Sequence, residues 1–149
     1  MRISTRGIYA LEIVVDLAMH SEDGHLESLK NIAMRRSLSE KYLERIVKKL
    51  KERGIIVSVR GAHGGYTLAR EDSQITVREV LEATEGELAP VACLTKDAGC
   101  GMAGGECPTR ELWDRIWKGM QKVTEEVSIR DIIDKMKELQ EAGGAIKQK

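Results

Sequence analysis

Every cysteine of this chain, Cys93, Cys100 and Cys107, falls in one fifteen-residue stretch, with six residues in each gap and glycine at 99, 101, 104 and 105. Such a stretch has few large apolar side chains to bury and loses much backbone entropy on ordering, so it does not fold on its own content. The core must be built by what flanks it, and something outside the chain must organise the stretch itself. Metal is the leading candidate. A chain of 149 residues holds material for one core, not two independent ones. No apolar run reaches the roughly 18 residues of a membrane span, and the N-terminus lacks a secretory pattern. The expected location is the cytoplasm, where an odd number of thiols serves metal or redox chemistry rather than disulfides.

The formal net charge of zero conceals a strong asymmetry. Residues 28–70 carry eleven basic side chains, namely Lys30, Arg35, Arg36, Lys41, Arg45, Lys48, Lys49, Lys51, Arg53, Arg60 and Arg70, against Glu40, Glu44 and Glu52, a net of +8. Residues 1–27 carry −3 and residues 71–149 carry −5. The positive field belongs to one contiguous module, which implies a polyanionic partner.

The pattern within that module is more specific than its charge. Ile8, Leu11, Val14, Val15 and Ala18 recur at helical spacing and predict a first amphipathic helix up to Met19. Ser28 is placed to cap a short helix through Leu29, Ile32 and Ala33, and Arg36-Ser37-Leu38-Ser39 breaks the periodicity. A second helix starts at Ser39, carries Tyr42, Leu43, Ile46, Val47 and Leu50 on one face, and stops at Gly54. A β-prone run from Ile55 to Val59, a glycine-rich turn and Tyr66-Thr67-Leu68 predict a hairpin. Short helix, tight turn, longer basic helix and hairpin is the pattern of a winged helix-turn-helix, whose second helix enters the major groove of double-stranded promoter DNA. Ser39, Lys41, Tyr42, Glu44 and Arg45 fall nearest the bases or phosphates, Lys48 and Lys49 on phosphate, and Arg60 and His63 at the base and tip of the wing.

Downstream, Thr76-Val77-Arg78-Glu79 is a capping box opening a helix that ends near Gly86. Pro108 suits the first turn of a long helix with Leu112, Trp113, Ile116, Trp117, Met120, Val123 and Val127 on one face. That stripe exceeds what so small a core can cover, so part of it is assigned to an identical subunit. Ser128 and Asp131 cap a last helix with Ile132, Ile133, Met136 and Leu139, and Gly143-Gly144 begins a polar tail. The expected fold is mostly α with a small β-wing, a winged helix-turn-helix plus a long dimerisation helix. Its expected divisions are a DNA-binding domain at 1–86, a cysteine loop at 87–108, dimerisation helices at 109–140 and a flexible tail at 141–149. No membrane contact is expected.

Thiolates are soft ligands suited to zinc and iron-sulfur clusters. The spacing lacks the close cysteine pairs of a structural zinc site. With three cysteines a fourth ligand has to be oxygen, nitrogen or a small molecule, and the side-chain candidates are Asp97, Glu106, His63 and Glu12. His20 and His25 read as surface residues. The competing use of the same cysteines is as redox-active thiols without metal.

The start from Met1 to Leu11, the run Ser39-Glu40-Lys41-Tyr42-Leu43-Glu44-Arg45-Ile46 and the segment from Val59 to Leu68 resemble the bacterial winged-helix regulator family typified by the iron-sulfur cluster regulator IscR. The nitric-oxide sensor NsrR and the cysteine-metabolism repressor CymR are relatives in it. The resemblance implies a homodimer, a DNA-binding regulator rather than an enzyme, and, for members with three central cysteines, a [2Fe-2S] or in some cases a [4Fe-4S] cluster. Cys93, Cys100 and Cys107 match those ligands, and [2Fe-2S] is the expected cofactor. This chain departs from IscR-like members in having six rather than five residues per gap. It also carries Arg110 where they supply a histidine, and arginine does not ligate. Ile8, at the position the nitric-oxide sensors use, is excluded chemically, so Glu12 of the partner subunit, one helical turn on, becomes the preferred fourth ligand.

Two other readings compete. A cluster-free repressor responding to thiol oxidation or to a protein partner would be colourless. A small iron-sulfur electron carrier would have no use for the basic module or the wing.

Overall fold

The computed structural model describes residues 2–95 and 107–146. Eight regular elements follow in order: α1 (Thr5–His20), α2 (Leu29–Arg36), α3 (Glu40–Glu52), β1 (Ile56–Val59), β2 (Gly65–Leu68), α4 (Val77–Glu85), α5 (Arg110–Glu126) and α6 (Ile129–Ile146). The starts of the helices are set by short polar side chains. Ser4, Ser28, Ser39 and Thr76 each accept a hydrogen bond from a backbone N–H in the first turn. At α4 the exchange is reciprocal, since Glu79 reaches back to the N–H of Thr76 at 3.0 Å. Burial pushes the Glu79 carboxyl up, but the Thr76 N–H and the Arg70 guanidinium outweigh it and hold it below its ordinary value.

The turn between α2 and α3 is held by Ser37 in the left-handed region (φ +53°) and by Leu38, whose N–H bonds the carbonyl of Ala33 at 3.0 Å. This sets α3 across α2 as a helix-turn-helix. The strands β1 and β2 pair antiparallel, Ile56 with Leu68 and Val59 with Gly65. Glu27 adds a third row, exchanging backbone hydrogen bonds with Tyr66 at 2.8 and 2.9 Å. At Gly65 a Cβ would come within 2.8 Å of the Glu27 carbonyl oxygen, so this close approach requires glycine.

One core joins these elements. Ala10, Ile13, Val14 and Leu17 of α1 pack with Ile32 and Ala33, with Leu43, Ile46, Val47 and Leu50, and with Ile55, Ile56, Ile75 and Val80. Ile129 and Ile133 of α6 complete it. The start of α6 is therefore part of the head, tied by backbone bonds from Ile129 N–H to Ile75 and from Val77 N–H to Val127, each 2.9 Å.

Three sequence expectations are corrected. Ile8 is 49% exposed: the buried arc of α1 is centred on Ala10, Ile13, Val14 and Leu17, with Gly7 facing α4. Pro108 precedes α5 rather than entering it. The Arg110 N–H bonds the Cys107 carbonyl at 3.1 Å, which makes 107–110 a turn with proline in its second position, and α5 begins only at Arg110. The last helix, α6, docks its first turn in the head core through Ile129 and Ile133. It also runs through Gly143-Gly144 to Ile146, because two glycines weaken a helix near its end without removing the hydrogen bonds that continue it.

Candidate DNA interface and cysteine connector

Helix α3 has a strongly two-sided surface. Leu43, Ile46, Val47 and Leu50 are buried, and Lys41, Glu44, Arg45 and Lys48 are exposed on the opposite face. The helix N-terminus and this exposed strip share the direction open to solvent, which is the arrangement a groove-reading helix requires. Ser39 is also exposed and uses its hydroxyl oxygen to cap the Tyr42 N–H at 3.2 Å. Arg60 directly follows β1 and His63 lies in the hairpin turn, both exposed. A second basic group was missed by sequence reading. Lys51 donates to Ser58 Oγ of β1 at 2.6 Å and lies 6.0 Å from the centre of the Tyr66 ring, bridging α3 to the wing.

Two of the candidate DNA residues are placed differently. Tyr42 is half-buried and meets Tyr9 of α1 edge-on, ring centres 5.9 Å apart, so its ring packs within the head. Lys49 is half-buried on the side of α3 that faces α4, and its Nζ donates to the Thr84 carbonyl oxygen at 3.3 Å. It is an internal tie rather than an outward phosphate contact.

Beneath the helix-turn-helix lies a charged network. Asp16 is 1% and Glu27 4% exposed. Arg35 reaches Asp16 Oδ1 at 2.6 Å through Nη2 and Glu27 Oε2 at 2.6 Å through the same nitrogen, and Arg36 Nε reaches Asp16 Oδ2 at 3.1 Å. His20 Nδ1 bonds the Asp16 carbonyl oxygen at 2.8 Å, and His25 Nε2 bonds Glu27 Oε1 at 3.0 Å. The histidines expected as plain surface residues thus border this network. Burial pushes the Glu27 carboxyl up, but the Arg35 guanidinium and the His25 ring prevail and hold it below its ordinary value. Hydrogen bonding to Asp16 raises the Arg35 guanidinium above its ordinary value despite burial, with Glu27 assisting. The pattern has no periodic signature, because Asp16 and Arg35 lie nineteen positions apart.

The cysteines belong to the segment between α4 and α5. Cys93 lies in a short turn, Ala92–Leu94, and Cys107 opens the turn before α5, its Sγ 3.3 Å from Thr109 Oγ1. Both are half-buried. Cys100, with Asp97 and Glu106, lies outside the described residues. Glu12 is half-buried on α1, one turn beyond Ile8. Among the described residues no group of three or more His, Cys, Asp or Glu side chains converges as a metal site. The donor set of the connector is nevertheless chemically suited to a soft metal centre: one thiol stands at each end of the segment 96–106 and the third, by sequence, between them.

The long helix α5 is fixed to the head by Arg78, which spans Glu82 Oε1 at 2.8 Å and Glu125 Oε2 at 3.0 Å. No residue of α5 is buried; Leu112, Ile116 and Val123 are 53%, 37% and 61% exposed along one stripe. Among the described residues no helix is long and apolar enough to cross a membrane.

A basic recognition helix seated across a shorter one, flanked by a two-stranded wing and followed by a long helix, defines a winged-helix DNA-binding regulator. Residues 3–135 match the family model Rrf2, described as iron-dependent transcriptional regulators, and the chain belongs to that family. It is 38% identical over 132 residues to the HTH-type transcriptional regulator CymR of Bacillus subtilis, covering 89% of each chain. It is 32% identical to the regulator IscR of Photorhabdus laumondii, over 96% of this chain and 85% of that one. Among solved structures, that of B. subtilis CymR, the global cysteine regulator, superposes with a TM-score of 0.75 at 35% identity, covering 90% of this chain and 97% of the other. T. potens IscR gives 0.74 at 31% identity, covering 94% and 91%. These relatives are named as regulators and not as enzymes.

Proposed function

We propose that this chain acts as a homodimer that binds promoter DNA through α3 and the wing, and that an iron-sulfur cluster on the connector controls the binding. Lys41, Glu44 and Arg45 would read base edges, Lys48 and Lys51 would neutralise phosphates, and Arg60 and His63 would reach the flanking backbone or minor groove. Cys93, Cys100 and Cys107 would hold a [2Fe-2S] cluster, with [4Fe-4S] as the other cluster type and Glu12 of the partner subunit as fourth ligand. Such a cluster supplies a centre whose charge and ligation respond to oxidants and iron supply. The observation that carries the reading is the position of the thiols. They occupy the segment through which the chain leaves α4 for α5, so ordering that segment bears on how the start of α5 is set against the head and on how the head meets its neighbour. The exposed stripe of α5 supports a second copy of the chain as that neighbour. Two recognition helices must then match half-sites about 34 Å apart, so a small rotation changes affinity.

A second reading is favoured by the CymR relatives, one of them solved in an oxidised form at 32% identity and a TM-score of 0.69. In it the same thiols act without a cluster. Purification without oxygen distinguishes the two. Under the cluster reading the protein is coloured and contains iron and labile sulfide, and Cys100→Ala removes both. A fully loaded Cys100→Ala protein overturns that ligand assignment. Colourless wild-type protein whose promoter affinity follows peroxide overturns the cluster and leaves the thiol reading.

A further inference from the structure

The last turn of α4 is where the cysteine connector leaves the head, and it grips two other elements at once. On one side the Glu85 carboxylate accepts from Ser4 Oγ at the start of α1. It closes over Gly7, where an added Cβ would lie 2.9 Å from Glu85 Oε1. On the other side the carbonyl oxygen of buried Thr84 accepts from Lys49 of α3 at 3.3 Å. Arg6 Nε is buried and, among the described residues, has no hydrogen-bond partner. It stands 4.0 Å from Glu85 Oε1, roughly 1 Å beyond hydrogen-bond range. One carboxylate therefore faces two donors, Ser4 in contact and Arg6 just short. The same helix terminus carries, on the adjacent residue, the carbonyl that holds Lys49.

We propose that Glu85 and Lys49 are positioning residues that carry the state of the connector to the recognition helix: a shift of the α4 terminus passes through Glu85 to α1 and through Thr84 to Lys49 and α3. This rests on the reading that the connector governs DNA affinity. Glu85 touches no DNA in this scheme, and Lys49 acts through the Thr84 carbonyl rather than on phosphate. In the connector's other state the Arg6 guanidinium, left just short of Glu85 in this structure, would close on the carboxylate and draw the α4 terminus with it.

The test compares wild type, Glu85→Gln, Lys49→Met and Lys48→Met on a duplex that the wild-type protein selects from a random-sequence library. Dissociation constants are measured by fluorescence anisotropy in two pairs of conditions. In the first, anaerobic protein reconstituted with ferrous iron and sulfide is set against chelator-treated protein. In the second, cluster-free protein in diamide is set against the same protein in dithiothreitol. The wild type is expected to show a ratio of at least about fivefold in one pair. Glu85→Gln and Lys49→Met bring that ratio to within about twofold of unity, whereas Lys48→Met weakens both members equally and preserves it. If Glu85→Gln does not fold, Lys49→Met, which leaves α1 and α4 unaltered, carries the test alone. An unchanged ratio in these variants overturns the proposal. A wild-type response confined to the diamide pair removes the cluster reading, and the positioning residues are then judged on that pair. No wild-type response in either pair overturns both.

Discussion

Replacing Asp16 by asparagine tests whether the buried charges beneath the helix-turn-helix hold the head together. The Asp16 carboxylate is 1% exposed and balances two guanidinium groups, Arg35 at 2.6 Å and Arg36 at 3.1 Å. Asparagine keeps the shape, loses the charge and turns an NH₂ toward one of those donors. Removing one partner of a buried ion pair costs about 3–5 kcal/mol. Here the cost is reduced, because Arg35 retains Glu27 at 2.6 Å and both arginines are partly exposed and rehydrate. The expected loss is about 2–3 kcal/mol, a large share of a typical folding free energy. For a chain of this length it lowers Tm by roughly 5–10 °C. Thermal and urea unfolding followed by circular dichroism, at one fixed protein concentration, measure it. Glu141→Gln, at an exposed position of α6, serves as the control and stays within about 0.5 kcal/mol of wild type. An Asp16→Asn protein as stable as that control would refute the reasoning.

Glu27 has a carboxyl held below its ordinary value of 4.5, so its contribution to stability is complete above that value and is lost as pH falls through the folded value. Urea midpoints measured from neutral pH down through the carboxylate range should therefore fall more steeply for wild type than for Glu27→Gln. Gly64→Ala places a Cβ 2.2 Å from the Val59 carbonyl oxygen, backbone against backbone, so the wing turn must open. Its expected cost is about 1–3 kcal/mol, with faster amide exchange confined to β1 and β2. Ile116→Glu puts a charge on the exposed stripe of α5; sedimentation equilibrium should show a shift toward monomer with Tm of the head little changed.

The elements that the sequence announces are those set within a few residues. Ser28, Ser39 and Thr76 cap α2, α3 and α4 through the next three residues. Gly54 and Gly86 sit past helix ends at φ +67° and +79°. Local rules suffice there, and the wing follows from the same logic. The periodicity of α1 fails at both ends of its argument. Ile8 looks apolar enough to be inside and is not, while Asp16 looks polar enough to be outside and is buried. What decides each is the surface opposite: α4 against Gly7, and the arginines of α2 against Asp16. Lys49 and Ile129 teach the same lesson. Their partners, Thr84 and Ile75, are set by tertiary contacts that no window of sequence contains.

The positive charge of residues 28–70 divides in the same way. Arg35 and Arg36 are committed to Asp16 and Glu27, Lys49 to a carbonyl of α4, and Arg70 to Glu79 at 2.9 Å. The exposed cations of α3, Lys41, Arg45, Lys48 and Lys51, remain for a polyanion, with Arg60 beside the wing. The two sets respond differently to salt. Exposed charges are screened over about 10 Å at ordinary ionic strength, and the partly buried pairs much less. Added salt should consequently release DNA from the outer set while the partly buried pairs of Asp16 and Glu27 continue to hold α2 against α1. Dissociation from DNA is thereby separated from unfolding of the head, and a regulator that must leave its site and return needs that separation.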